Sequence, residues 1–212
     1  MGGWDKFYLI ANWMLRIAYL NILWIFFTFV GFVFFGIFPA TSAMFSITRK
    51  WIFHRERNIK LFKTFWTAYK QDFLKQNGYG LIFLLVGYFI YYDITFIQLN
   101  PGQFQFLVPV IVLIFAASII TLLFFFPVFV HFKLSFFQYL KQAFLIGISS
   151  ILELIGMIAT IFLLYGMIVL LPGTIPLFTG SVLAIAITFL SQSAFKRIAF
   201  KKGIQIDETS VG

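Results

Sequence analysis

Long apolar runs separated by short polar segments are the main pattern along the 212-residue chain. A helix needs about 20 residues to cross the hydrocarbon core of a bilayer, so runs of this length are typical of transmembrane helices. Five runs qualify, and we predict spans at 17–38, 78–97, 106–131, 143–171 and 175–195. The pattern predicts an all-α fold, an integral membrane helical bundle that forms a single polytopic domain over 1–212.

Two segments flank the first predicted span. Residues 4–16 place aromatic and aliphatic side chains at helical spacing, which is typical of an interfacial helix that leads into the span. Pro39 then breaks or kinks the helix. Residues 39–53 reach Arg49 after only about 15 Å of helix, half the thickness of the core. We interpret 39–53 as a half-inserted or interfacial helix, and a short sixth span is the alternative if the bundle shelters Arg49.

Residues 59–76 form the clearest amphipathic helix of the sequence. Five aromatic side chains recur at helical spacing in a stripe about 100° wide, and three lysines project from the opposite side. The aromatic residues are Phe62, Phe65, Trp66, Tyr69 and Phe73, and the lysines are Lys60, Lys63 and Lys70. An aromatic face backed by lysines predicts a helix that lies in the cytoplasmic headgroup layer.

Composition supports the membrane class. Hydrophobic residues make up 61% of the chain and charged residues only 11%, whereas soluble domains carry about 25% charged residues. In a soluble protein a net charge of +9 would suggest nucleic-acid binding. Here the basic residues stand in blocks between the spans, which is typical of cytoplasmic loops and of contacts with anionic lipid, so we expect no nucleic-acid partner.

The basic blocks also predict an orientation. The segment 39–77 carries eight Lys and Arg residues, and others follow at Lys133, at Lys141 and in the C-terminal tail. Because basic loops face the cytoplasm, 39–77 is predicted to be a cytoplasmic loop and the C-terminus to be cytoplasmic. Five spans place the N-terminus outside, which we favour at this point, whereas six spans place both termini inside.

The familiar catalytic and metal-binding patterns are missing from the sequence. The chain has no cysteine, which excludes disulfides, thiolate metal sites and thiol catalysis. It contains no P-loop, HExxH or GxSxG motif. We therefore expect no cofactor and no enzymatic activity.

Glu153 is the one carboxylate well inside an apolar run, and an intramembrane carboxylate is a functional candidate. With Ser149 and Ser150 it would form a small polar site. Counting about 20 residues back from Pro172 places the edge of the hydrocarbon core near Ile151, close to the headgroups. Three interpretations stay open: an interfacial carboxylate that pairs with a loop lysine or a serine one turn back, a group that handles an ion or substrate, and a helix–helix contact.

The second candidate site is a juxtamembrane basic cluster with aromatic neighbours. It consists of Arg49, Lys50, Trp51, Arg55 and Arg57, together with Lys63, Phe65 and Trp66 of the amphipathic helix. Binding of anionic lipid is the default interpretation, and contact with the cytoplasmic domain of a partner protein is the sharper alternative. The isolated His54 and His131 do not suggest a metal site.

Several motifs resemble those of the YesL-like family of small bacterial multi-pass membrane proteins. They are the opening residues 1–8, the segment 38–45, the Arg49-Lys50-Trp51 triplet and the segment 62–66. The resemblance is most specific over residues 3–80. Beyond that region it consists of similar hydropathy and length.

The family is a domain of unknown function whose genes often lie beside those for carbohydrate ABC transporters and two-component regulators. The resemblance therefore implies a protein of a bacterial cell membrane that acts as a non-enzymatic accessory component of carbohydrate uptake. Its partners would be the permeases of a carbohydrate ABC transporter or a sensor kinase. The alternative is an autonomous small transporter or channel, in which Glu153 would line the pathway.

Overall fold

The computed structural model describes residues 3–56, 58–100, 102 and 104–201. Within these ranges the chain forms eight α-helices and two short 3-10 turns. The helices are α1 (Gly3–Val30), α2 (Ile37–Ile52), α3 (Leu61–Lys70), α4 (Phe73–Leu99), α5 (Val108–His131), α6 (Phe136–Ser149), α7 (Ile151–Leu170) and α8 (Ile175–Lys201). None of the described residues forms a β-strand, so the predicted all-α class is confirmed.

Five helical segments in the described ranges are long and apolar enough to cross a membrane. They are Lys6–Val30, Phe73–Leu99, Gln105–His131, Ile151–Leu170 and Pro172–Ile198. In the second and third of these segments, the rest of the protein buries only 6% of the most apolar stretch. Such wide apolar surfaces are stable against lipid and not against water. The fold is therefore the predicted membrane helical bundle.

The first helix differs from the prediction at both ends. A single helix, α1, runs through the predicted interfacial segment 4–16 and into the predicted span 17–38 without a break. It ends at Val30, well before residue 38. The division into two helices is wrong because no Gly or Pro interrupts the chain between residues 4 and 30.

Two glycines build the tight turn between α1 and α2. A Cβ on Gly31 would clash with the backbone of Gly36, and a Cβ on Gly36 would clash with the carbonyl oxygen of Thr28. The chain can reverse here because glycine has no side chain. Pro39 does not break a helix as predicted; it is the third residue of α2, where its missing N–H is tolerated.

α2 is the central helix of the bundle and packs against α1, α3, α4, α5 and α8. Its buried residues are Pro39, Ala40, Ser42, Ala43, Met44, Phe45, Ile47, Thr48 and Trp51. An interfacial helix leaves one face to lipid and one to water. A helix lying on the membrane surface is therefore wrong for α2. The half-inserted helix and the short sixth span both remain compatible with its packing, and Arg49 at its end is half-buried.

The predicted amphipathic helix 59–76 is shorter in the structure, because Asp72 adopts a left-handed conformation with φ of 59° and the chain turns into α4. The aromatic face of α3 packs on protein. The ring of Phe27 in α1 lies 5.1 Å from that of Phe65 and 5.1 Å from that of Tyr69, measured between centroids. This burial raises the pKa of the Tyr69 phenol.

The predicted span 143–171 is not one helix. α6 ends at Ser149, and Ser150 has φ −125° and ψ 54°, which lies outside the helical region, before α7 begins. α6 starts earlier than predicted, because Ser135 and Gln138 form a capping box at its first turn. The break therefore divides a run that hydropathy alone presents as continuous.

Contacts along α1 and α2 show that the two helices run antiparallel. Near the turn that joins them, Nε1 of Trp24 donates a hydrogen bond of 3.0 Å to Oγ1 of Thr41. Far from the turn, the rings of Trp13 and Trp51 meet edge to face at 5.5 Å. The C-terminal end of α2 therefore lies beside the N-terminal half of α1.

α2 also runs parallel to α8. Thr48 and Thr188 share a hydrogen bond of 2.7 Å, and further along both helices the rings of Phe53 and Phe195 lie 6.4 Å apart. The same order of contacts relates α2 to α5. The N-terminal half of α1 and the C-terminal part of α8 consequently lie at the same end of the bundle, contrary to the opposite ends that five spans predict.

Candidate functional site at the basic end

The positive charge of the protein gathers at one end of the bundle. We call this the basic end: α2, α5 and α8 end there, and α1, α4 and α6 begin there. The chain has no Lys or Arg in residues 17–48, 76–132 or 142–195. Among the described residues, the basic ones consequently belong to helix ends and connections at this end, apart from Arg16 midway along α1. The opposite end carries no basic side chain in the described ranges.

Arg49 lies in the last turn of α2 and is half-buried. Its Nη1 donates a hydrogen bond of 2.5 Å to the carbonyl oxygen of Val130, in the last turn of α5. This bond satisfies a carbonyl that the helix end leaves free and offsets part of its negative charge. The Nε of Arg49 is buried without a partner, and no carboxylate in the described part of the chain pairs with the guanidinium. The guanidinium therefore has an unused donor edge.

His131 lies next to this guanidinium at the end of α5. Its ring packs against those of Phe53 and Phe195, at centroid distances of 4.9 Å and 4.8 Å. Its Nδ1 is buried without a hydrogen-bond partner, and Arg49 and His54 lie within electrostatic range. The described residues contain no group of three His, Cys, Asp or Glu side chains that could hold a metal ion.

Two residues of the predicted contact cluster are buried and cannot reach lipid or a partner. Trp51 is 7% exposed and packs on Trp13, and Phe65 is fully buried against Phe27. Both predictions are corrected by the packing of α2 and α3. The sequence could not show this, because an aromatic stripe that faces a neighbouring helix has the same spacing as one that faces lipid.

The other members of the cluster keep accessible surface. Arg55 and Lys63 are exposed, and Lys50 is half-buried. Trp66 is 36% exposed, with Nζ of Lys70 at 4.5 Å from its ring centroid. Arg57 lies outside the described residues. Additional exposed basic side chains at this end are Lys60, Lys133, Lys141 and Lys196.

Glu153 is paired with an arginine that the sequence interpretation did not name. Nη2 of Arg197 in α8 donates a hydrogen bond of 2.8 Å to Oε2 of Glu153 and one of 3.3 Å to the carbonyl oxygen of Ser149. The Oγ of Ser150 is buried without a partner, so this serine does not bond the carboxylate. Glu153 is the third residue of α7, where the helix dipole also favours a negative charge.

Asn21 is a structural residue that the sequence interpretation missed. It is fully buried in α1, where its Nδ2 donates to the carbonyl oxygen of Pro176 at 2.8 Å and its Oδ1 accepts from the backbone N–H of Ser181 at 3.0 Å. These bonds fasten α1 to the first turns of α8. Its signal in the sequence is a lone amide inside the apolar run 17–38.

Asp93 lies far from the basic end, in the C-terminal half of α4. It lines a shallow groove of about 160 Å³ between α4 and α5. The other lining residues are apolar: Val86, Phe89, Ile90, Ile111 and Ile114. The groove therefore has no direct connection with the polar groups described above.

The helices and the basic end define the class of this protein, an α-helical integral membrane protein whose described basic side chains lie toward one end of its bundle. A family model described as "Protein of unknown function, DUF624" matches residues 17–94, which include all of α2 and α3. The chain belongs to this YesL-like DUF624 family, as the motifs of its N-terminal region suggest. No solved structure matches the chain.

Three proteins of Bacillus subtilis are similar to the chain over most of its length. YteU is 35% identical over 82% of this chain and 78% of its own length. YesV is 31% identical over 91% and 93%, and YesL is 33% identical over 88% and 88%. Each is described as an uncharacterized protein, so these relatives support the family and assign no activity.

Proposed function

We propose that this protein is a non-enzymatic accessory component of a bacterial carbohydrate-uptake system. It would reside in the cell membrane with its basic end in the cytoplasm, and it would contact the permeases of an ABC transporter or a sensor kinase there. The link to carbohydrate uptake comes from the family resemblance, since family genes often lie beside such transporters. The contact surface is suggested by the structure.

The accessible basic side chains of the basic end are the observation that carries this proposal. Arg55, Lys63 and Lys70 are exposed, and they come from the segment that connects α2 to α4. Exposed charges at an interface steer association and select partners with a complementary surface. An acidic cytoplasmic face of a permease or kinase would fit this surface.

The pairing of Glu153 favours the accessory role over the autonomous transporter or channel. A carboxylate that conducts an ion must be free to bind and release it, whereas Glu153 is already neutralised by Arg197 at 2.8 Å. The pair also lies where α7 begins and α8 approaches its end, not midway along either helix. Its location is typical of an interhelical contact.

The test is affinity purification of the tagged protein from its native membrane in a mild detergent, followed by mass spectrometry. We expect stoichiometric recovery of an ABC permease pair or a sensor kinase. Charge reversal of the exposed lysines with Lys63→Glu and Lys70→Glu should abolish that recovery. Gln98→Glu, which adds a negative charge at the opposite end of α4, is the matched control and should leave recovery intact.

A second arm measures physiology. Deletion of the gene should alter the uptake of one glycan or the induction of its transporter. Recovery of the protein alone from the membrane, together with unchanged growth and transcription on every glycan tested, would contradict the accessory role.

A further inference from the structure

The Arg49 guanidinium is a positive charge without a matching negative charge. The chain carries sixteen Lys and Arg residues against seven Asp and Glu. The ion pair found among the described residues joins Arg197 to Glu153 and so uses none of the charge of Arg49. A half-buried charge of this kind is stabilised when an ion or hydrogen-bond acceptor of opposite sign is brought to it.

The end of α5 compensates only part of this charge. A helix C-terminus carries the equivalent of about half a negative charge, and Nη1 of Arg49 reaches it through Val130. That bond occupies one side of the planar guanidinium. The Nε side, which with Nη2 forms the edge that binds phosphate and carboxylate in bidentate fashion, has no partner on Nε.

The surroundings of Arg49 suit an anion. His131 presents a buried Nδ1 without a partner, and its flanking rings from Phe53 and Phe195 exclude water from one side. His54 lies within electrostatic range of the His131 ring. Low local polarity strengthens the attraction between a guanidinium and an anion.

We propose that Arg49, with His131 and His54 beside it, binds a phosphate group at the ends of α2 and α5. The ligand chemistry is a phosphate that accepts hydrogen bonds from the free guanidinium edge. The apolar span of α5 ends at His131, which places the site at the level of lipid headgroups, so the phosphate of an anionic membrane lipid fits the location better than a soluble phosphate does. This inference goes beyond the proposed function, because it requires no protein partner.

The first experiment uses the wild-type full chain in detergent. Native mass spectrometry counts lipids that stay bound after addition of phosphatidylglycerol or phosphatidylcholine, and millimolar inorganic phosphate is tested as a competitor. We expect retention of phosphatidylglycerol and not of phosphatidylcholine. Displacement by inorganic phosphate would assign the site to soluble phosphate compounds instead of lipid. Equal retention of both lipids without any effect of phosphate would overturn the proposal.

The second experiment assigns the site to Arg49. Arg49→Gln removes the charge and should weaken phosphatidylglycerol retention roughly tenfold, the equivalent of one charge-assisted hydrogen bond. Arg49→Lys keeps the charge but not the planar edge, so we expect an intermediate loss of lipid retention. If Arg49→Gln does not fold, Arg49→Lys still tests the role of the planar edge. Lys141→Gln removes an equal charge from an exposed site on α6 and should retain the lipid. Equal weakening in Lys141→Gln and Arg49→Gln, with full retention in Arg49→Lys, would mean that only net charge matters, and the site would be refuted.

Discussion

The ion pair of Glu153 and Arg197 illustrates how single residues hold this bundle together. The pair joins the first turn of α7 to the last turns of α8, and the carboxylate side chain is 10% exposed while that of the arginine is 36% exposed. Arg197 also holds the carbonyl oxygen of Ser149, a group that the end of α6 leaves free. One arginine thus bridges three helices at the point where α6 and α7 separate.

Glu153→Gln tests this role. The variant removes the charge of a partly exposed pair, so we expect the free energy of unfolding to fall by about 1–2 kcal/mol, measured as a lower thermal midpoint in detergent. Arg197→Gln should cost a similar amount, and the double variant should cost less than the sum because the two residues share one interaction. Additive effects of the two substitutions would contradict a direct pair.

The sequence predicts part of this residue-scale picture. Counting helix residues back from Pro172 predicts an edge near Ile151, and α7 begins there, with Glu153 in its first turn. A paired carboxylate is one of the interpretations that the sequence leaves open, and the pair with Arg197 agrees with it. Its partner could not be predicted, because Arg197 lies 44 positions away and only the approach of α8 to α7 brings it there. The hydrogen bonds from Asn21 to α8 could not be predicted either, because they depend on the approach of α8 to α1.

At the scale of elements, the turn between α1 and α2 decides the architecture. It reverses the chain after Val30 and directs α2 into the centre of the bundle, where five other helices cover it. Gly36 makes this possible, because the carbonyl oxygens of Phe27 and Thr28 occupy the space of a side chain. A longer loop would leave the start of α2 less firmly placed against α1.

Gly36→Ala should therefore destabilise the protein. The added methyl group would meet backbone atoms that cannot move aside, and overpacking of this kind costs about 1–3 kcal/mol. Gly87→Ala is the matched control, because no atom lies within 4 Å of a Cβ at that position in α4. The thermal midpoint of Gly87→Ala in detergent should equal or slightly exceed that of the wild type. If Gly36→Ala and Gly87→Ala have equal midpoints, the tight turn is contradicted.

The aromatic face of α3 packs against Phe27 of α1. It is 3% exposed and its ring contacts four aromatic rings of α3. Phe27→Ala should lower stability by about 3–5 kcal/mol through loss of buried contacts and formation of a cavity. Phe29→Ala, at a position that is 68% exposed in the same helix, should change it by less than about 0.5 kcal/mol. Similar losses in both variants would show that α3 does not pack there.

The existence of the helices could be predicted from hydropathy, whereas their ends and partners could not. Apolar length identifies a run that can cross a membrane, but the break at Ser149 and Ser150 leaves the run apolar on both sides. The aromatic stripe of α3 has the spacing of a lipid-facing helix, yet Phe65 and Tyr69 face α1 and α2. Lipid and protein interiors are both apolar, so periodicity does not distinguish them.

At the scale of the whole molecule, helix directions and charge agree. α1 runs away from the basic end, α2 returns to it, α4 leaves and α5 returns, and α6 with α7 leaves before α8 returns. Because α2 runs back to the basic end, Lys6 and Arg16 of α1 lie on the same side as the other basic residues. The five-span orientation, with an outside N-terminus, would separate them. We therefore expect both ends of the chain's helical part to face the cytoplasm.

Cysteine labelling measures this sidedness most directly, because the chain has no cysteine of its own. Single substitutions Lys6→Cys, Lys63→Cys and Lys196→Cys report on the basic end, and Gln98→Cys and Gly173→Cys report on the opposite end. We predict that a membrane-impermeant maleimide added to intact protoplasts labels only positions 98 and 173, and labels all five after permeabilisation. Labelling of position 6 in intact protoplasts, with position 196 protected, would contradict the placement of α1 and the single basic end on which this account rests.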